Sequence, residues 1–168
     1  MAEFMVTYRG TVYPWQCDHM NHMNVMWYAG KFDEASWQLL ASVGLTSTRF
    51  RDEGTGMAAV EQNIQYKREL HPGDSVTVRS AILEVKDKSI RVIHEMRNDE
   101  TEEVAATSVI VAVHLDATVR KALPLPVDVR ERAFLMIGDG FDVDRTAFNR
   151  MLATLISPLT VALAAHQA

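Results

Sequence analysis

The chain has 168 residues, of which 48% are hydrophobic and 23% charged, with 8 Gly and 5 Pro. That is the make-up of one folded domain, and it excludes a largely disordered chain, a collagen-like chain and a disulfide scaffold. The net charge of −5, from 22 acidic and 17 basic residues, argues against a surface that wraps nucleic acid. Cys17 is the only cysteine, so no intramolecular disulfide can form and a reducing cytoplasm is the expected compartment. No run reaches the ~18–20 apolar residues of a membrane span. The first ten residues show no basic segment followed by an apolar block, so no secretory signal is expected.

In chain order, residues 6–12 alternate apolar and polar side chains and predict a half-buried strand ended by Pro14. Residues 16–24 form a polar loop rich in His, Asn and Asp. Asn24 is a good N-cap. After it, Val25, Tyr28, Ala29, Phe32, Ala35, Ser36, Leu39 and Val43 recur at helical spacing, which predicts a long helix ended by Gly44. Residues 46–56 read as a loop with room for one helical turn. The period then changes to two, and four strands are expected at 58–70, 75–85, 89–97 and 103–115. The turns His71-Pro72-Gly73-Asp74, Lys86-Asp87-Lys88 and Asn98-Asp99-Glu100-Thr101 separate them, and their shortness makes the last three strands antiparallel neighbours. Residues 127–137 predict a short helix and 144–156 another. A helix of roughly 30 Å must bury its apolar stripe on the one large surface available. The result is an α+β fold with a five-stranded antiparallel sheet wrapped around one central helix. Residues 1–137 form that domain, and 138–168 a helical or loosely ordered C-terminal extension.

The densest cluster of reactive side chains, Asp18-His19-Met20-Asn21-His22-Met23-Asn24, sits directly before the helix. A helix N-terminus presents unpaired N–H groups and a partial positive charge, which stabilise an oxyanion. A carboxylate beside such an end is the pairing that acyl transfer needs: the carboxylate attacks or activates water, and the N–H receives the negative charge. The plainer role of Asp18 is a loop residue bonding nearby backbone N–H groups.

The run Asp18-His19-Met20-Asn21-His22-Met23-Asn24-Val25-Met26-Trp27-Tyr28, followed by Phe32-Asp33-Glu34-Ala35, resembles the signature of hotdog-fold acyl-CoA thioesterases of the 4-hydroxybenzoyl-CoA thioesterase group. Leu70-His71-Pro72-Gly73-Asp74 is similar to that group's turn before a strand, and Lys88-Ser89-Ile90, Val104-Ala105-Ala106 and Ala122-Leu123-Pro124-Leu125-Pro126 follow in family order. The resemblance spans residues 5–135 and makes 1–137 a hotdog thioesterase domain. It implies hydrolysis of a small acyl-CoA to free acid and CoA, with no cofactor. Asp18 then matches the catalytic carboxylate, as nucleophile or general base, and Val25 the residue whose backbone N–H polarises the thioester carbonyl. Lys86 and Lys88 match basic positions that meet CoA phosphates, with Asp87 standing where a second basic residue is usual. The related enzymes associated with the Tol-Pal system carry His at the Val25 position, and the family's Gly before the His is Asn21 here.

The remaining candidates follow from position. His22 is expected to orient the loop or Asp18, and His19 to be partly exposed. The Asp-His-x-x-His spacing is read as no metal site, because no third ligand type is near apart from Asp18. His94 and His114, on strands, are expected to be structural. Asn24, Trp27 and Tyr28 border the presumed thioester position. Glu61 and Asn63 alternate onto one strand face, where one of them can line the acyl pocket; a cross-strand polar pair is the plainer reading. Glu34 is a fallback helix carboxylate, its favoured reading being a solvated or salt-bridged helix residue. Trp15, Trp27, Tyr28 and Trp37 serve core or dimer packing, or, in a sharper reading, an aromatic cage for a cationic acyl group. An enoyl-CoA hydratase or dehydratase is the alternative activity, disfavoured by the His spacing and a missing Pro. A non-catalytic acyl-CoA sensor is the third reading. An open sheet edge calls for a homodimer or homotetramer. Neither nucleic acid nor membrane is an expected partner.

Overall fold

The computed structural model describes residues 4–137; the expected helix at 144–156 and the rest of the extension lie outside the described residues. Strand β1 (Met5–Thr11) leads through a short 3₁₀ turn at Pro14–Gln16 and the polar loop to helix α1 (Val25–Ser42). Helix α2 (Ser47–Glu53) follows, then strands β2 (Thr55–Tyr66), β3 (Ser75–Val85), β4 (Ser89–Asn98) and β5 (Val104–Asp116), and helix α3 (Val127–Leu135). The five strands form one antiparallel sheet in the order β1-β3-β4-β5-β2. The expected α+β architecture is therefore present, with β1 and β2 as its two edges.

Residues 46–56 are a correction. They hold two turns of helix rather than a loop. Thr46 caps α2 by accepting from the Arg49 N–H at 3.2 Å, and Gly54 ends it with φ 63°, a backbone form that favours glycine. Phe50 is the single buried side chain of α2, too sparse an apolar signal for periodicity to register. Arg49 also grips Asp128 through both guanidinium ends at 2.9 and 3.1 Å, tying α2 to α3. Strand β2 is displaced as well: residues 67–70 leave the sheet, and fully buried Leu70 turns into the core.

The interior falls into two apolar clusters along α1. Tyr28, Phe32 and Ala35 pack with Val12, Met23, Leu70, Val76, Val78, Met96 and Ala106. Leu39, Leu40 and Val43 pack with Ile82, Ile90, Val92, Ile110, Leu125 and Val129. Each of α1, β1, β3, β4 and β5 contributes a polar residue at the boundary: Ser36, Thr7, Ser80, His94 and Ser108. Thr7 Oγ1 meets Ser80 Oγ at 2.5 Å, Ser80 Oγ meets His94 Nδ1 at 2.6 Å, and His94 Nε2 meets Ser36 Oγ at 3.0 Å. Ser36 donates its hydroxyl proton to the Phe32 carbonyl at 2.9 Å, so it must accept from His94 Nε2–H. Nδ1 then accepts from Ser80, which accepts from Thr7. His94 and His114, expected to be structural, are both buried, and His114 Nδ1 lies 2.9 Å from the Pro124 carbonyl.

Candidate active site

The loop before α1 is a tight reversal. Cys17 and Met23 bridge antiparallel, and the Asp18 N–H donates to the His22 carbonyl at 3.1 Å. Asn21 at its tip has φ 61°, a form that Asn tolerates better than most residues. The loop is pinned to the segment between β2 and β3 by the Met23 N–H on the Leu70 carbonyl at 2.7 Å and to the 3₁₀ turn by the Asn24 N–H on the Gln16 carbonyl at 2.9 Å.

This frame fixes the carboxylate of Asp18. Its Oδ1 accepts from the Met20 N–H at 2.9 Å and its Oδ2 from the Asn24 side-chain amide at 3.3 Å. Asn24 in turn caps α1, its Oδ1 accepting from the Met26 N–H at 3.1 Å. The Trp27 N–H goes to the Asn24 carbonyl at 3.0 Å. Val25, the first helical residue, has no intrahelical acceptor for its N–H, and its side chain is 57% exposed. Asp18, Asn24 and Val25 are thus brought together, the carboxylate standing two hydrogen bonds from the first turn of the helix. The Met20 N–H, helped by His22, the Asn24 amide and His19, holds the Asp18 carboxyl below the usual carboxylate range. The plainer role of Asp18, bonding a nearby N–H, is also fulfilled, and the same bond keeps it ionised.

His22 shapes the loop through its backbone carbonyl, while its Nε2 lies 3.7 Å from Glu69. His19 is exposed. An open groove of about 400 Å³ runs beside the helix end, walled by His22, Met23, Val25, Tyr28, Tyr66, Lys67, Arg68 and Glu69. Tyr28 is buried, edge-on to Tyr66 with centroids 5.1 Å apart, and its hydroxyl reaches the Arg68 carbonyl at 3.4 Å. Burial pushes its phenol up to about 12. Trp27 is half-buried against the first core cluster.

Four expectations fare differently. Lys86 and Lys88 lie on the β3–β4 turn, at the far end of an 11-residue strand from the Asp18 loop, roughly 35 Å away at strand rise. The side chains beside the helix N-terminus are instead Lys67 and Arg68, which sequence reasoning passed over; their only signal is their place just ahead of the Leu70-His71-Pro72-Gly73-Asp74 turn. Neither Glu61 nor Asn63 lines the small cavity of about 80 Å³ between α1 and the sheet. A bulge between Ala59 and Glu61 resets the alternation, so Met57, Ala59 and Gln62 are the β2 residues that line it. The four aromatics do not form one cage: Trp15 is 68% exposed and stacks on Tyr13 at 4.3 Å, while Trp37 packs edge-on to Phe50 at 6.1 Å. Glu34 is exposed on an open groove with β1 residues, away from the Asp18 loop, which agrees with its favoured reading as a solvated helix residue rather than with the fallback.

Residues 12–133 match the model of the thioesterase-like superfamily. The chain belongs to that superfamily. An Agrobacterium fabrum L-carnitine dehydrogenase/betainyl-CoA thioesterase is 28% identical over 65% of this chain, which spans 22% of that protein's length. A Pseudomonas aeruginosa betainyl-CoA thioesterase is 24% identical, over 79% of this chain and 83% of the relative. A Staphylococcus aureus protein solved in complex with CoA superposes with a TM-score of 0.76 at 18% identity, covering 83% of this chain and 89% of that one. The last likeness bears on the fold, and the hotdog architecture expected from the sequence is the one observed.

Proposed function

We propose that this protein is an acyl-CoA thioesterase that cleaves a small acyl-CoA with water to the free acid and CoA. The observation that carries this reading is the tether from Asp18 through Asn24 to the first turn of α1. The thioester carbonyl oxygen sits at the Val25 N–H, where charge developing in the tetrahedral intermediate meets an unpaired donor at the positive end of the helix. Asp18, kept ionised, either attacks the carbonyl carbon, expelling CoA thiolate and leaving a mixed anhydride that water opens, or takes the proton of an attacking water. A burst of free CoA ahead of acid release marks the first route.

Membership of the superfamily and the betainyl-CoA activity named for two relatives support thioester hydrolysis. We place the CoA side of the substrate in the groove with Lys67 and Arg68; Lys86 and Lys88 contact it only if a second copy carries them across a seam. That second copy is part of the reading. Strand β2 pairs on one side with β5 and is open on the other, and it exposes Val60 at 63% and Tyr66 at 50%, an edge that pairing would satisfy. We infer a homodimer joined there, with two such dimers as the tetrameric option, acting in the cytoplasm.

The test is thiol release across short, branched, aromatic and cationic acyl-CoAs, with crotonyl-CoA watched in parallel for enoyl absorbance. Thiol release without hydration is expected. Hydration without thiol release would move the protein to the hydratases, and tight binding with neither would make it a sensor.

A further inference from the structure

A second, enclosed cavity of about 80 Å³ lies between α1 and the sheet. Its sheet side is mostly apolar, with Met57, Val92 and Ile110 beside Gln62, and no basic side chain lines it. On the helix side stand Asp33 and Trp37, both exposed. The Trp37 indole, 45% exposed, donates from Nε1 to Asp33 Oδ2 at 3.2 Å and meets the edge of Phe50 at 80°. The ring is thereby held in place before any ligand arrives. Among the described residues no cation pairs with Asp33.

An uncompensated carboxylate and a fixed indole at an apolar recess is the arrangement that attracts a cation through both charge and ring quadrupole. Beside the Asp33 carboxylate, hydrogen-bond acceptors in the recess are few: the Ser36 hydroxyl is committed to the Phe32 carbonyl and to His94, and Gln62 gives its amide N–H to Ser108, leaving its side-chain oxygen. A primary ammonium needs three acceptors; a quaternary ammonium needs none. We infer that the Asp33–Trp37 recess is the acyl-tail subsite and selects a compact acyl group ending in a quaternary ammonium. This rests on the thioesterase reading above. Asp33 and Trp37 lie 8 and 12 residues beyond Val25, about 12 and 18 Å along the helix. The span is too long for a short acyl chain, so each recess serves a thioester held at the other copy's helix N-terminus.

The experiment uses the whole chain and two thioesters of the same shape, trimethylammonioacetyl-CoA and its carbon isostere 3,3-dimethylbutyryl-CoA. The wild type is expected to favour the cationic ester by about tenfold or more in kcat/KM. Asp33→Asn and Trp37→Leu each bring that ratio toward one, chiefly through KM of the cationic ester, and Trp37→Phe, which keeps a π-face, retains most of it. A wild-type ratio of one or below, or variants that keep the wild-type ratio, overturns the inference while leaving thioester hydrolysis standing. Release of no thiol from either ester, nor from any of the wider panel, overturns the thioesterase reading and this inference with it.

Discussion

The two halves of the proposed site, the loop leading into α1 and the flank of the helix, serve different ends. The first half is polar and tied down by hydrogen bonds at Asp18, Met23 and Asn24; its carboxylate is half-exposed, and in the proposed reading the donor it works with is a main-chain N–H. The second half borders an apolar cavity and, in the proposed reading, offers recognition rather than reactivity, through the exposed Asp33 and Trp37. Between them runs the chain of Thr7, Ser80, His94 and Ser36. Catalysis needs a fixed, charged, accessible group, which we place at a capped helix end. Selectivity needs a shaped recess, which we place on the helix flank. Acyl preference can therefore change along α1 with the chemical step left in place.

The sharpest way to break this comparison is to separate the halves onto different chains. Mixing Asp18→Asn protein with Trp37→Leu protein should restore hydrolysis of the cationic ester above the sum of the two parents, because one site of each hybrid dimer is whole. No recovery after exchange is shown by mass would mean that both halves act on one thioester within a chain. Asn24→Ala tests the first half alone. It removes the helix cap, at about 1 kcal/mol of stability, and frees Asp18; kcat should fall at least about tenfold, with KM changed far less. Unchanged kcat in a folded variant would make the tether incidental.

The boundary chain is tested by acid. Burial alone depresses His94 from 6.5 to about 3, so the folded state resists its protonation and the unfolded state does not. Stability linked to His94 is complete above about 6.5 and is lost as pH falls toward about 3. Urea melts across that range should show ΔG falling with acid in the wild type and less steeply in His94→Gln. Parallel curves would dismiss His94 as the source. The smallest effect is expected at the cavity wall. Gln62→Leu removes one 3.3 Å bond to Ser108 and should shift the preference between small acyl groups only a few-fold, read as a ratio of kcat/KM values.

The contrast between the halves also marks what the amino-acid sequence reveals. Ser75–Val85 is the expected third strand to the residue, and Asn24 caps the helix where a capping side chain was expected. Both follow from local rules of period and capping. Asp18 and Val25 come together for the same reason, six residues of tight loop apart. Features set by tertiary packing resist such reading. A single bulge in β2 hands the cavity to Gln62 instead of Glu61 or Asn63, and period-two counting cannot see an inserted residue. Lys67 and Arg68 reach the helix end because residues 67–70 leave the sheet and Leu70 dives inward, a tertiary event. In α2, the Thr46 cap and Gly54 stop are present in the sequence, yet one buried Phe50 leaves no stripe to count.

The measurement closest to the centre of this account is single-turnover thiol release by Asp18→Asn, beside wild type, with an acyl-CoA that the wild type hydrolyses. Asparagine keeps the size of the side chain and an oxygen for the Met20 N–H, so fold and substrate affinity should hold, and both are checked on the same preparation. The account predicts that release slows by about 10²- to 10⁴-fold, the usual contribution of a positioned base, or more if the carboxylate attacks directly. A folded variant that binds substrate and releases CoA at near wild-type rate would contradict it.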